Sequence, residues 1–291
     1  MYKQPDSRRS DADMMNFDYL WSFLNANFTI AFVGGLTGAI GGALGAQYIS
    51  ERMKRREEKI REIRSTNAAI MTCFSICNAV LMIKRQHVEP MRSEFARQKS
   101  ELDTFKRERT ASAGPNEQTY ALTADFRVFP APIVPIDTLK TLVFERISAY
   151  GRPLALVSVL EQTLTGLAQA IAYRSQIIQR FQSSTIPREL FAHHYFGLRQ
   201  ASGETNQEYP DVVDAISSYT DDAVFFGVLL CQDLIKHGDA VRNAIAKPDD
   251  ISVPRISRSD FSGPKERGLL PSDENYADWL TGFQEGLDKK E

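Results

Sequence analysis

A chain of 291 residues, 43% of them hydrophobic and 25% charged, has the make-up of a folded protein rather than a disordered one, and its net charge of −2 offers nucleic acid no basic surface. Three cysteines, Cys73, Cys77 and Cys231, are too few for a disulfide framework and suit a reducing cytosol. Setting one membrane-length segment aside leaves room for one large helical domain or two small ones.

Residues 1–27 read as a short extracytoplasmic leader, polar to about Asn16. Phe28 to Ile49, FTIAFVGGLTGAIGGALGAQYI, follows as a charge-free run of about 22 residues, enough to cross a bilayer as a helix. Gly34, Gly38 and Gly42 recur every fourth residue, with Gly41 and Gly45 beside them. In lipid, helices associate through close packing rather than hydrophobic drive, so this nearly bare face is read as a helix–helix contact surface, the alternative being that glycine is simply common in such spans. A cleaved signal peptide fits poorly, because the run is too long, starts late and leads straight into a charged helix.

The flanks set an orientation. Arg8 and Arg9 before the span are offset by Asp6, Asp11, Asp13 and Asp18, whereas Arg52, Lys54, Arg55, Arg56, Lys59, Arg61 and Arg64 follow it. The positive-inside rule places the leader outside and the body in the cytoplasm, with Tyr19, Trp21 and Tyr48 at the interfaces.

Residues 50–112 read as a charged stalk running into the first bundle helix. Cys73, Cys77, Val80, Lys84, Val88, Met91, Phe95, Gln98, Leu102 and Phe105 form a coiled-coil-like stripe that Lys84 and Gln98 interrupt, and Pro90 marks a kink. Ser65 to Ile83 is also free of charge. Its Thr, Asn and Ser residues favour a buried core helix; the alternative, a second span, would move the body outside. Cys73 and Cys77, one helical turn apart, read as small buried hydrophobes, since no CxxC pair or nearby histidine completes a zinc set.

Residues 113–135 are a proline-rich connector, and 136–246 hold the rest of the bundle. Asp137 is expected to cap a helix through Tyr150. Pro153 opens a helix to Ser183, whose stripe from Val157 to Phe181 has Arg174 in one apolar place. Ile186 to Arg199 forms a short helix, and Pro210 opens a long one through Ala246. The fold expected is all-α: an N-terminal transmembrane helix, a long stalk helix and an antiparallel helical bundle. Residues 247–291 read as a flexible tail. Within 275–284, Tyr276, Trp279, Leu280 and Phe283 share one face of a short amphipathic helix that docks a cytosolic partner or packs back on its own bundle.

No P-loop, nucleotide-binding glycine loop, nucleophile elbow or di-iron Glu-x-x-His pair occurs, so no catalytic or cofactor-binding residue is assigned and no cofactor is expected. The least implausible polar site is Asp233 with His237, one turn apart and with His87 as a distant third, a metal or pH-responsive site if they meet and a satisfied core histidine otherwise. Asp221 and Asp222 read as a solvated helix face.

The runs STNAAIMTCFSICNAVLMIKRQHVEPM and NQEYPDVVDAISSYTDDAVFFGVLLCQDL resemble bacterial single-span inner-membrane proteins, a likeness that carries no active site or ligand. The layout of span and charged stalk is similar to the peripheral-stalk subunits of rotary ATP synthases, from which the helices after Pro130 depart. The expectation is a non-enzymatic inner-membrane protein acting by self-association and protein contact, with the lipid bilayer, a second copy of itself and a cytosolic protein as partners. A pore-forming effector, as in phage defence, and a metal enzyme with its site in the bundle are the alternatives.

Overall fold

Long runs without proline or glycine and stripes at three-four spacing dictate helices, and helices are what the chain builds. The computed structural model describes residues 27–111, 120–183, 186–246 and 251–283, with side chains in the first helix from Gly34 onward, Ile40 excepted. The leader, the Gly114–Pro115 break and the Lys247–Pro248 stop lie outside these residues. Among the described residues every regular element is helical apart from one isolated bridge between Arg199 and Thr205. The chain divides into two units, 1–58 and 59–291.

Helix α1 spans Asn27–Ile83 and passes through a π-helical segment, Lys84–Val88, into α2, Glu89–Ala111. The π turn sits just ahead of Pro90. A proline ring crowds the carbonyl four residues earlier and brings no N–H, and widening the helix relieves both problems. The Glu89 amide accordingly donates to the Lys84 carbonyl, five residues back. Within the first unit, positions 34–39 and 41–50 of α1 are all exposed, including Leu36, Leu44, Tyr48 and Ile49.

In the second unit the same helix has a buried face. Ile63, Ala69, Ile70, Cys73, Ile76, Cys77 and Val80 are fully buried, while Ala68, Met71, Ser75 and Met82 on the other side are exposed. The Ser65–Ile83 stretch is therefore one side of a protein core. By length and composition two helical stretches among the described residues are able to cross a membrane, one within Gly34–Ala111 and the other Arg152–Gln182, and the second lines the core.

Helix α3 spans Ile136–Glu145 and ends earlier than Tyr150. Asp137 does not cap it; Pro135 holds the cap position and Asp137 lies in the first turn, where its charge favours the helix dipole. The early stop lets Ile147 turn into the core and gives the Ser148 amide and hydroxyl to Glu62. Gly151, at φ 69°, makes the left-handed turn into α4, Arg152–Gln182, with Pro153 in its first turn.

Helix α5, Arg188–Phe196, is followed by α6, Glu208–Asn243. Partners along α6 give the bundle its directions. Glu62, Cys77, Lys84 and Arg92 meet His237, Gly227, Asp221 and Ser217 in turn, so α1 and α2 run opposite to α6. Arg152, Gly166 and Tyr173 likewise meet Asp233, Tyr219 and Glu208, so α4 also runs opposite to α6. One core cluster gathers around the cysteines and a second around Phe181, Tyr195, Phe196 and Tyr209.

The C-terminal segment departs from the expected flexible tail. Val253, Ile256 and Leu269 are buried in the cysteine-end core. Two short helices, α7 (Ser262–Glu266) and α8 (Ala277–Thr281), follow the extended run. Widely spaced apolar residues in a polar, proline-rich stretch give no periodic signal, yet each fills a gap that the helices leave.

Candidate functional site

The seam that α1 and the π-helical segment form with α6 holds three buried groups of polar side chains. At one end Glu62, 9% exposed, receives four hydrogen bonds: from Lys59 Nζ (2.8 Å), from the Ser148 amide (3.0 Å), from the Ser148 hydroxyl and from His237 Nε2 (3.0 Å). Burial alone would raise this carboxyl, but the donors from Lys59, Ser148 and His237 outweigh it and hold the pKa down to about 2. Glu62 is thus a fixed anion. It reads in sequence as part of the charged collar, although it extends the buried stripe of Thr66, Ala69, Cys73 and Cys77 by one turn.

At the other end Lys84, whose side chain is 10% exposed, pairs with Asp221 Oδ1 at 2.7 Å and donates to the Leu269 carbonyl at 2.6 Å. Its neighbour Asp222 accepts the Tyr276 hydroxyl at 2.8 Å. Burial pushes the Asp222 carboxyl up, Tyr276 pulls it back, and Asp221 adds to the rise. The two aspartates are half-buried anchors for the C-terminal segment rather than a solvated face.

Midway lie three thiols. The sulfurs of Cys73, Cys77 and Cys231 all fall within 4.8 Å of one another, and all three residues are fully buried. Cys73 and Cys77 come from successive turns of α1; Gly227 and Cys231 come from successive turns of α6. A Cβ on Gly227 would stand 2.5 Å from Cys77 Sγ, so only glycine lets the helix backbones close around the sulfurs. Cys73 Sγ also donates to the Gly227 carbonyl at 3.2 Å. Hydrogen bonding from Cys73 and Cys77 lowers the Cys231 thiol despite its burial, while hydrogen bonding to Cys231 and burial raise the thiols of Cys73 and Cys77. This cluster is where the described residues offer metal-ligating atoms together. Two of its members are marked in sequence by their helical spacing, but the third, more than 150 residues away, carries no local signal.

Asp233 and His237 do not form a site. Asp233 takes both ends of the Arg152 guanidinium, at 2.7 and 2.6 Å, whereas His237 turns to Glu62. His87 stacks on Phe129 in the other core cluster, ring centroids 4.9 Å apart. Tyr276, Trp279, Leu280 and Phe283 are half-buried: Tyr276 stacks on Phe225 at 3.8 Å, and Trp279 lies 4.9 Å from Phe226 and 4.7 Å from Phe283. Gly34, Gly38, Gly41, Gly42 and Gly45 are exposed, and a Cβ built on any of them would meet nothing within 4 Å beyond the helix's own backbone.

Arg174 accounts for the odd place in the α4 stripe. Only 2% exposed, it donates to the Arg127 carbonyl at 2.8 Å and the Asp125 carbonyl at 3.1 Å, with its guanidinium over the rings of Phe129 and Tyr209. It ties the connector to the bundle. No protein family, curated protein or solved structure matches the chain.

Proposed function

We propose that the protein is a membrane-anchored helical bundle that acts by self-association and protein contact at the cytosolic face of the inner membrane. The observation that carries this reading is the uncovered glycine face of α1, on which six glycines between Gly34 and Gly45 have open space where side chains would stand. A second copy of the same helix is the occupant such a face fits best, because small residues let two backbones approach and gain contact that lipid tails cannot supply. Leu36, Leu44 and Ile49, exposed on the same stretch, suit contact with acyl chains. The basic run from Arg52 to Arg64 supports a cytoplasmic body. No reacting group enters this reading; coupling between copies of the span and contacts of the bundle is the mechanism.

Gly38→Leu with Gly42→Leu tests it. The double variant should still insert but lose self-association in a membrane two-hybrid or crosslinking assay, and unchanged association would remove the proposal. Topology is tested separately, with single engineered cysteines near Asp6 and Asp273 and an impermeant thiol reagent on intact cells. Labelling at Asp6 alone is the expected result.

A further inference from the structure

The trithiol cluster does more than a core of small hydrophobes requires. Free cysteine is a common core residue, but three from two helices meeting sulfur to sulfur need a specific clearance, and Gly227 supplies it. We propose that Cys73, Cys77 and Cys231 bind one soft monovalent metal ion of the Cu(I) class through their three sulfurs.

The spacing fits. Three sulfurs at about 2.3 Å from a central ion stand about 4 Å apart, inside the 4.8 Å limit these sulfurs already meet. Thiolate donors select soft ions. Zn(II) prefers four ligands, and this fully buried cluster brings together three ligand atoms. Charge points the same way, because a buried site tolerates little net charge. A monovalent ion that displaces a single proton therefore leaves a neutral complex: one cation and three thiols give one thiolate, two thiols and the ion, with one proton released and no change of oxidation state.

The site also has a cover. Asn67 clamps the backbone of the C-terminal segment, donating to the Arg255 carbonyl and accepting from the Ser257 amide, both at 2.8 Å. Ser259 reaches Cys231, and the Phe261 ring meets Phe74, beside Cys73, edge-on at 5.2 Å. Release of this strap gives an ion a way in without parting the helices, so loading should be slow in the intact protein and faster when the Asn67 clamp is removed.

The test uses the full chain purified in detergent under reducing conditions, with Ag(I) as a redox-inert probe and Cu(I) as the second, each against a competing thiol chelator. The expected result is one ion retained per chain and one proton released per ion. Retention should be at least about tenfold weaker in Cys73→Ser, Cys77→Ser and Cys231→Ser. Gly227→Ala keeps every ligand but forces a methyl against Cys77 Sγ, and should weaken retention as well; it carries the test where a serine variant fails to fold. Asn67→Ala should speed loading without changing stoichiometry. Absence of a retained ion in the wild-type protein, retention unchanged in the folded variants, or tighter binding of Zn(II) than of either monovalent ion would overturn the assignment.

Discussion

Phe28–Ile49 and Ser65–Ile83 lie on the same helix and both lack charge, yet they meet opposite surroundings. In the first, every described position from Gly34 to Ile49 is exposed. In the second, a face running from Thr66 through Ala69, Ile70, Cys73, Ile76 and Cys77 to Val80 has no accessible surface at all. Hydropathy does not separate them; side-chain arrangement does. The first carries glycines along one side, Gly34, Gly38, Gly41 and Gly45, and large apolar residues such as Leu36 and Leu44 along the other, so no side of it is polar. The second is apolar on one side and interrupted on the other by residues such as Ser75 that tolerate water, which is the pattern of a helix packed on a protein core.

Substitutions should divide along that line. Ile76→Ala leaves a void where nothing is accessible and should cost about 2–5 kcal/mol of unfolding stability, whereas Leu36→Ala should leave the unfolding of the body unchanged. Urea titration of both variants in the same detergent checks the pair, and equal losses would dissolve the distinction.

Glu62 sits where the buried face begins. Glu62→Gln removes the charge and replaces one of the two oxygens that accept from Lys59, Ser148 and His237 with an NH2 donor, and should cost about 1.5–3 kcal/mol at neutral pH. Because folding lowers this pKa from 4.5 to about 2, its contribution is complete above pH 4.5 and is lost as the pH falls from 4.5 toward 2. The wild-type protein should lose stability across that window, and the glutamine variant should show a shallower acid limb in melts taken from pH 6 to pH 2.

Gly38→Leu with Gly42→Leu acts on the uncovered stretch alone. It should weaken self-association about tenfold, roughly 1.4 kcal/mol, while the denaturation midpoint of the body stays in place. A shift of that midpoint would mean that the glycine face supports the fold. The smallest effect expected is from Tyr276→Phe, which deletes the 2.8 Å hydrogen bond to Asp222 and should cost about 1 kcal/mol, read as faster proteolysis of the C-terminal segment.

The polar residues that break the apolar stripes carry a related lesson. Lys84, Gln98 and Arg174 are all visible in sequence as interruptions, and each is buried because it holds an irregular segment in place. Lys84 holds the Leu269 carbonyl of the C-terminal segment, Gln98 donates to the Thr123 carbonyl of the connector, and Arg174 holds the connector at Asp125 and Arg127. A buried polar group must find a partner, so an interruption in a stripe announces that a partner exists. Its identity is not local information. Asp233 and His237 illustrate the converse: one turn apart on α6, they belong to different pairs because Arg152 and Glu62 approach α6 from different helices.

Local rules of spacing, capping and charge are enough to determine the all-helical class, the charge-free stretches, the long α4 and α6 and the basic collar, since all of these repeat within a few turns of chain. Tertiary structure alone decided that α3 stops early to offer Ser148 to Glu62, that the C-terminal segment lies on the core, and that Cys231 joins Cys73 and Cys77 across a glycine. Each of those outcomes pairs residues more than 80 positions apart. Periodicity says which face of a helix must be covered; only the packing of whole helices says by what.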